Sequence, residues 1–130
     1  MAKRILIVDD EPDIVVIMKF TLENHGFEVM TAYDGEDGLS KAKSYKPDLI
    51  ILDVLMPKML GDEVAKQLKA LPDCSSIPII FLTNIPGDYL GAHREGIQSD
   101  FSAISTTRLY LQKSCSEEEL LSAVESVFTG

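Results

Sequence analysis

The stretch "PDLIILDVLMPKMLG", Pro47 to Gly61, constrains the fold most, because an almost unbroken run of Leu and Ile carries a single acid, Asp53, before a proline. An apolar run without polar alternation predicts a strand buried on both faces, as in a parallel sheet covered by helices. A carboxylate in such a strand costs several kcal/mol unless it has a partner. Something elsewhere in the chain must compensate Asp53.

The rest of the chain repeats the same alternation of short apolar runs with amphipathic stretches, which predicts an α/β fold with a doubly wound parallel sheet and crossover helices. "RILIV" is the first strand, and Pro12 opens a helix that runs to about Asn24 and ends at Gly26. "EVMTA" is the second strand. Asp34 caps the helix "GEDGLSKAKSYK", which contains Gly38 and stops at Pro47. "LIILDV", "IPIIFLT" and "RLYLQK" supply strands three to five, and "GDEVAKQLKAL" supplies the third helix. Ser116 and Glu119 form a capping box for the last helix, "EEELLSAVESVF". Between Asn84 and Thr107 the pattern is irregular, with one short helix expected near "DYLGAHREG".

At 130 residues the chain is sized for one domain with one site. No apolar stretch is long enough to span a bilayer and no signal peptide is visible, so a cytoplasmic location is expected. A formal net charge of −9 argues against binding nucleic acid or anionic lipid, whose phosphates it repels. Cys74 and Cys115 lack metal spacing and read as reduced thiols, and His25 and His93 read as surface residues.

In an open doubly wound sheet, functional residues gather beyond the carboxyl ends of the strands, where the strand order reverses. That rule brings together Asp9, Asp10 and Glu11 from strand one, Asp53 from strand three, Thr83 from strand four and Lys113 from strand five. One lysine cannot neutralise so many carboxylates, and a hard divalent cation with oxygen ligands, Mg²⁺, is the natural compensation. One carboxylate is then free to act as a nucleophile toward a phosphoryl group. Capping of the first helix is the plain alternative for Asp9 and Asp10. A Thr at a strand end, a strand-end Lys and a half-buried Tyr110 are each ordinary when taken alone.

With "ILIVDDEPD", "PDLIILDVLMPKMLGDE", "IPIIFLT" and "YLQK" in that order, the sequence resembles the receiver domain of two-component response regulators over nearly its whole length. The resemblance implies that residues 1–130 form a single receiver domain with a flavodoxin-like five-stranded sheet, strand order 2-1-3-4-5, and helices on both faces. It implies that Asp53 is the phosphoacceptor, loaded by a histidine kinase or a histidine phosphotransfer protein. Asp10 would ligate Mg²⁺ directly, Asp9 through water, and Leu55 through its backbone carbonyl. Thr83 would be the switch hydroxyl, Lys113 the cation that pairs with the phosphoryl group, and Tyr110 the aromatic that turns with the switch. Pro57 and Gly61 match the loop between strand three and helix three. Such a domain is a switch rather than a turnover enzyme. It acts on an output domain or a downstream protein, and a phosphorylation-dependent homodimer is a further expectation.

Several positions depart from the family. Ser114 stands where a proline usually follows the lysine, which puts the reach of Lys113 in question. The stretch from Thr83 to Lys113 is longer than usual, and Asn84 replaces a small residue. Leu55 and Ile85 should flank the acyl phosphate without orienting a water, which predicts slow self-dephosphorylation. On the helical period Ile14, Ile17, Met18 and Leu22 share a buried face, leaving Val15 or Val16 exposed. A phosphodonor docking surface is expected there around Ile14, Val15 and Met18.

Two competing functions follow from these departures. A pseudo-receiver acting as a phosphorylation-independent interaction module would fit the missing proline and the remodelled fourth crossover. A magnesium phosphatase with an aspartyl nucleophile would want a second acid two residues after it, where Leu55 stands.

Overall fold

The chain's order of elements is β1 (Arg4–Val8), α1 (Pro12–Asn24), β2 (Glu28–Ala32), α2 (Gly35–Tyr45), β3 (Leu49–Asp53), α3 (Gly61–Ala70), β4 (Ile79–Thr83), β5 (Thr107–Gln112) and a C-terminal helix (Glu117–Thr129). The computed structural model describes residues 2–54, 56, 60–83, 107–113 and 115–129, with residues 62 and 107–110 described by their backbone alone. The expected short helix near "DYLGAHREG", together with Leu55, Pro57, Asn84, Ile85 and Ser114, lies outside the described residues.

The strands form one parallel sheet in the order β2-β1-β3-β4-β5, as the sequence leads one to expect. Side chains alternate across a strand, so each central strand feeds two cores. Leu6, Val8, Ile50, Leu52, Ile79 and Phe81 pack on α2 and α3 through Leu39, Ala42, Val64, Ala65 and Leu68. Ile5, Ile7, Leu49, Ile51, Ile80 and Leu82 pack on α1 and the C-terminal helix through Val15, Met18, Leu22, Leu120, Ala123 and Val124. Burial on both faces explains why β3 shows no polar alternation: all five of its residues are buried.

Local chemistry sets the helix ends. The Asp34 carboxylate accepts the Asp37 N–H at 2.7 Å, and α2 closes on Lys46 in the left-handed conformation, φ 52°. The Ser116 and Glu119 side chains each accept the other's backbone N–H, at 3.1 and 3.0 Å, completing the capping box. Gly38 belongs in α2 because a Cβ there would lie 2.9 Å from both Val8 methyls, so glycine lets the helix approach β1.

One face differs from the sequence expectation. On α1 the buried positions are Val15, Met18, Thr21 and Leu22, while Val16, Ile17 and Phe20 are exposed and Ile14 is intermediate. Apolar residues occupy nearly the whole circumference from Ile14 to Phe20, so periodicity alone does not fix the face. The helix settles with Val15, Met18 and Leu22 at i, i+3 and i+7 on the sheet. Val15 and Met18 therefore cannot form a docking surface, and Ile17 is not a core residue.

Candidate functional site

Asp9, Asp53 and Lys113 sit just beyond or at the carboxyl ends of β1, β3 and β5, and all three continue the strand parity that faces α1 and the C-terminal helix. β1 and β3 are neighbours at the point where the strand order reverses, which leaves a crevice that no crossover covers. Asp9 and Asp53 are buried, at 0% and 1% exposure, and the Lys113 side chain is 5% exposed. The Lys113 ammonium donates to Asp53 Oδ2 at 3.0 Å, to Asp9 Oδ1 at 3.1 Å and to Glu11 Oε1 at 2.6 Å. Asp53 thus has its partner, and Lys113 reaches it although Ser114 stands where the family has proline.

The acids of β1 divide their work. Asp9 Oδ1 also accepts the Glu11 N–H at 2.9 Å, a tight local turn that fixes the carboxylate over the crevice. Glu11 occupies the N-cap position of α1 in an extended conformation with no side-chain cap bond, so helix capping does not account for this acidic run. Convergence of Glu11 on the crevice was legible in the sequence, but its bond to Lys113 was not.

Charge at the site is unbalanced. Burial, and then the neighbouring Asp9 charge, push Asp53 up to about 7, with the Asp10 hydrogen bond adding to the rise and Lys113 opposing it. Asp9 is raised as well, first by burial, against the Glu11 N–H and Lys113. For Lys113 burial favours the neutral form, but the bonds to Glu11, Asp53 and Asp9 together outweigh it and hold the amine protonated well above its ordinary value. Three buried or half-buried carboxylates exceed what one ammonium balances, which favours the protonated form of the most crowded of them, Asp53.

A cation would balance the site in another way. Asp9, Asp10 and Asp53 each offer an oxygen, and these atoms lie within 4.8 Å of one another. Asp9 Oδ2 is buried without a hydrogen-bond partner among the described residues, which is costly for a carboxylate oxygen unless a ligand takes it up. An all-oxygen donor set of this charge fits a hard divalent cation.

Thr83 is buried at the end of β4, and its carbonyl accepts the Lys113 N–H at 2.7 Å, which fixes the root of the lysine beside the crevice. Gly61 N–H donates to the Val54 carbonyl at 2.9 Å, and a Cβ on Gly61 would collide with the Asp53 carbonyl oxygen. Glycine there lets α3 start directly under the acidic strand end. The backbone of Tyr110 lies in β5 in register with Phe81, while its side chain and the Leu55 carbonyl lie outside the described residues.

Beside the crevice, Ile14, Ile17, Met18, Thr21, Leu82, Lys113, Cys115 and Leu120 line a cavity of about 90 Å³ between α1 and the C-terminal helix. Thr21 Oγ1 donates to Glu117 Oε1 across this seam at 2.8 Å. Both cysteines are free thiols, and burial pushes each of them up, consistent with an unreactive reduced state.

Comparison with known proteins places this geometry. The profile of the response regulator receiver domain matches residues 5–125. The chain is 35% identical to Protein PilH of Pseudomonas aeruginosa over 129 residues, covering 98% of each. It is 51% identical over 83 residues to the alkaline phosphatase synthesis transcriptional regulatory protein PhoP of Bacillus subtilis, a match that spans 64% of this chain and 34% of that protein. Among solved structures, chemotaxis protein CheY4 of Vibrio cholerae superposes with a TM-score of 0.86 at 31% identity, covering 98% of this chain and 99% of that one. Sheet order, the acidic crevice and likeness over nearly the whole length agree, and the chain belongs to the response regulator receiver domains of two-component signalling.

Proposed function

We propose that Asp53 accepts a phosphoryl group from a histidine kinase or a histidine phosphotransfer protein, and that the charged domain then controls an output domain or a downstream protein. The observation that carries this reading is a buried Asp53 held at 3.0 Å by Lys113 and clustered with Asp9 and Asp10 at the strand ends.

A carboxylate oxygen of Asp53 attacks phosphorus as the bond to the donor nitrogen breaks; with the donor imidazole protonated on its other ring nitrogen, the products are an acyl phosphate and a neutral histidine. Lys113 orients the attacking group and pairs with a phosphoryl oxygen, and Thr83 supplies a hydroxyl at the neighbouring strand end. Asp9, Asp10, Asp53 and the Leu55 carbonyl would hold Mg²⁺, which supplies neutralisation of the incoming phosphoryl charge. Tyr110 turns with Thr83 as the switch reads out the new charge, and a phosphorylated homodimer is one form of that output.

The domain is a switch rather than a turnover enzyme. Its phosphodonor docks on the exposed side of α1, where Val16, Ile17 and Phe20 are 61%, 62% and 64% exposed, with Ile14 at the edge. Intact mass after incubation with Mg²⁺ and acetyl phosphate tests the proposal. Gain of one phosphoryl group by the wild type, and none by Asp53→Asn or in the presence of a chelator, is expected; equal gain by Asp53→Asn would overturn it.

A further inference from the structure

We propose that Glu11 is a positioning residue that latches Lys113 in the unphosphorylated site and must release it when Asp53 is phosphorylated; this deepens, and rests on, the phosphoacceptor reading of Asp53. An ammonium group has three donors, and those of Lys113 go to Asp9, Glu11 and Asp53 at 3.1, 2.6 and 3.0 Å. Phosphorylation turns Asp53 into a neutral, weaker acceptor and brings anionic phosphoryl oxygens to the same ammonium, where they compete with the remaining charged contacts to Asp9 and Glu11.

The three partners are not equally able to leave. Asp9 is fully buried and tied to the Glu11 N–H, and Asp53 is the residue that carries the new group. The Glu11 side chain is 46% exposed and can return to water. It also has a second place to go. Glu11 is the N-cap residue of α1 and makes no side-chain cap bond, so its carboxylate can turn to the positive dipole end of the first turn. Glu11 therefore has two positions, one on the lysine and one at the helix end or in water, and phosphoryl charge at Asp53 selects between them.

The latch lowers the affinity of the site for a phosphoryl-like anion by the strength of one half-exposed charged hydrogen bond. Beryllium fluoride titrated at saturating Mg²⁺ into the wild type, Glu11→Gln and Glu11→Asp measures it by calorimetry. Glu11→Gln is expected to bind about three- to tenfold more tightly. Glu11→Asp keeps the charge but is one methylene too short to close on Lys113 and is a better helix cap, so it is expected to show a similar gain. Thermal unfolding verifies that both variants fold. The Lys113 ammonium proton signal in NMR is expected to exchange slowly in the wild type and to be lost in both variants.

Wild-type affinity in Glu11→Asp would overturn the latch and assign any effect of Glu11→Gln to net charge alone. Wild-type affinity in both variants would overturn it outright. If the wild type itself failed to bind beryllium fluoride, the phosphoacceptor reading would fall and the latch with it, an outcome distinct from wild-type binding that the variants merely match.

Discussion

Asp53, the proposed phosphoacceptor, couples stability to pH. Native Asp53 keeps a proton up to about pH 7, while the unfolded chain loses it near the ordinary value of 3.8, so unfolding releases a proton in that window. The folded state binds more protons there, and stability therefore falls as pH rises from about 4 to about 7, by on the order of a few kcal/mol. Lys113, whose shift lies at alkaline pH, does not offset this window. Asp9, raised in the same direction, adds to the slope. Urea unfolding at a series of pH values without divalent cations should show it; Asp53→Asn should reduce it, and so should saturating Mg²⁺. Gly61→Ala should cost about 2 kcal/mol or more in the same assay, because the added Cβ meets the backbone of Asp53 and Val54 rather than a side chain that could move. Asp53 was legible in the sequence, since an acid inside a run of Leu and Ile is too costly to keep without a partner. The Glu11 bond was not, because an acid at the start of a helix is ordinary and only the distance to Lys113 distinguishes it.

At the scale of elements, strands and caps were readable because they rest on local signals: two-sided apolar runs, Asp34 and Ser116 as N-caps, and Pro12 in a first turn. The orientation of α1 was not, because seven of its nine residues from Ile14 to Leu22 are apolar and the face is chosen by the sheet it packs on. Consequences for substitution follow from that orientation. Val15→Ala, at 1% exposure, should destabilise the fold by about 2 kcal/mol. Ile17→Ala and Phe20→Ala, on the exposed side, should change stability by about 0.5 kcal/mol or less. The same two substitutions should slow phosphoryl transfer from a protein donor while leaving acetyl phosphate labelling unchanged. Slowing of both reactions alike would place the effect in the crevice rather than on a docking surface.

For the whole molecule, the parallel sheet gathers acids from distant parts of the sequence at one end and sets against them a single lysine just past the last strand. A net charge of −9 leaves the site without a general attraction for anions, so on the proposed function a phosphoryl donor would be admitted by local neutralisation and by a protein partner's own contacts. No helix among the described residues is long and apolar enough to cross a membrane. Fold and family could be read from the order of the apolar runs and their acids, whereas the crossover from Asn84 to Thr107 carries too little hydrophobic period for its structure to follow from its sequence. On the proposed function, phosphoryl chemistry occurs at Asp53 and nowhere else. Borohydride reduction of the acetyl phosphate-treated protein, followed by peptide mass spectrometry, tests it most directly because an aspartyl phosphate is reduced to homoserine. Homoserine at position 53, formed only with Mg²⁺ present, is the predicted result; reduction at Asp9, Asp10 or Glu11 instead, or at no residue, would contradict the account.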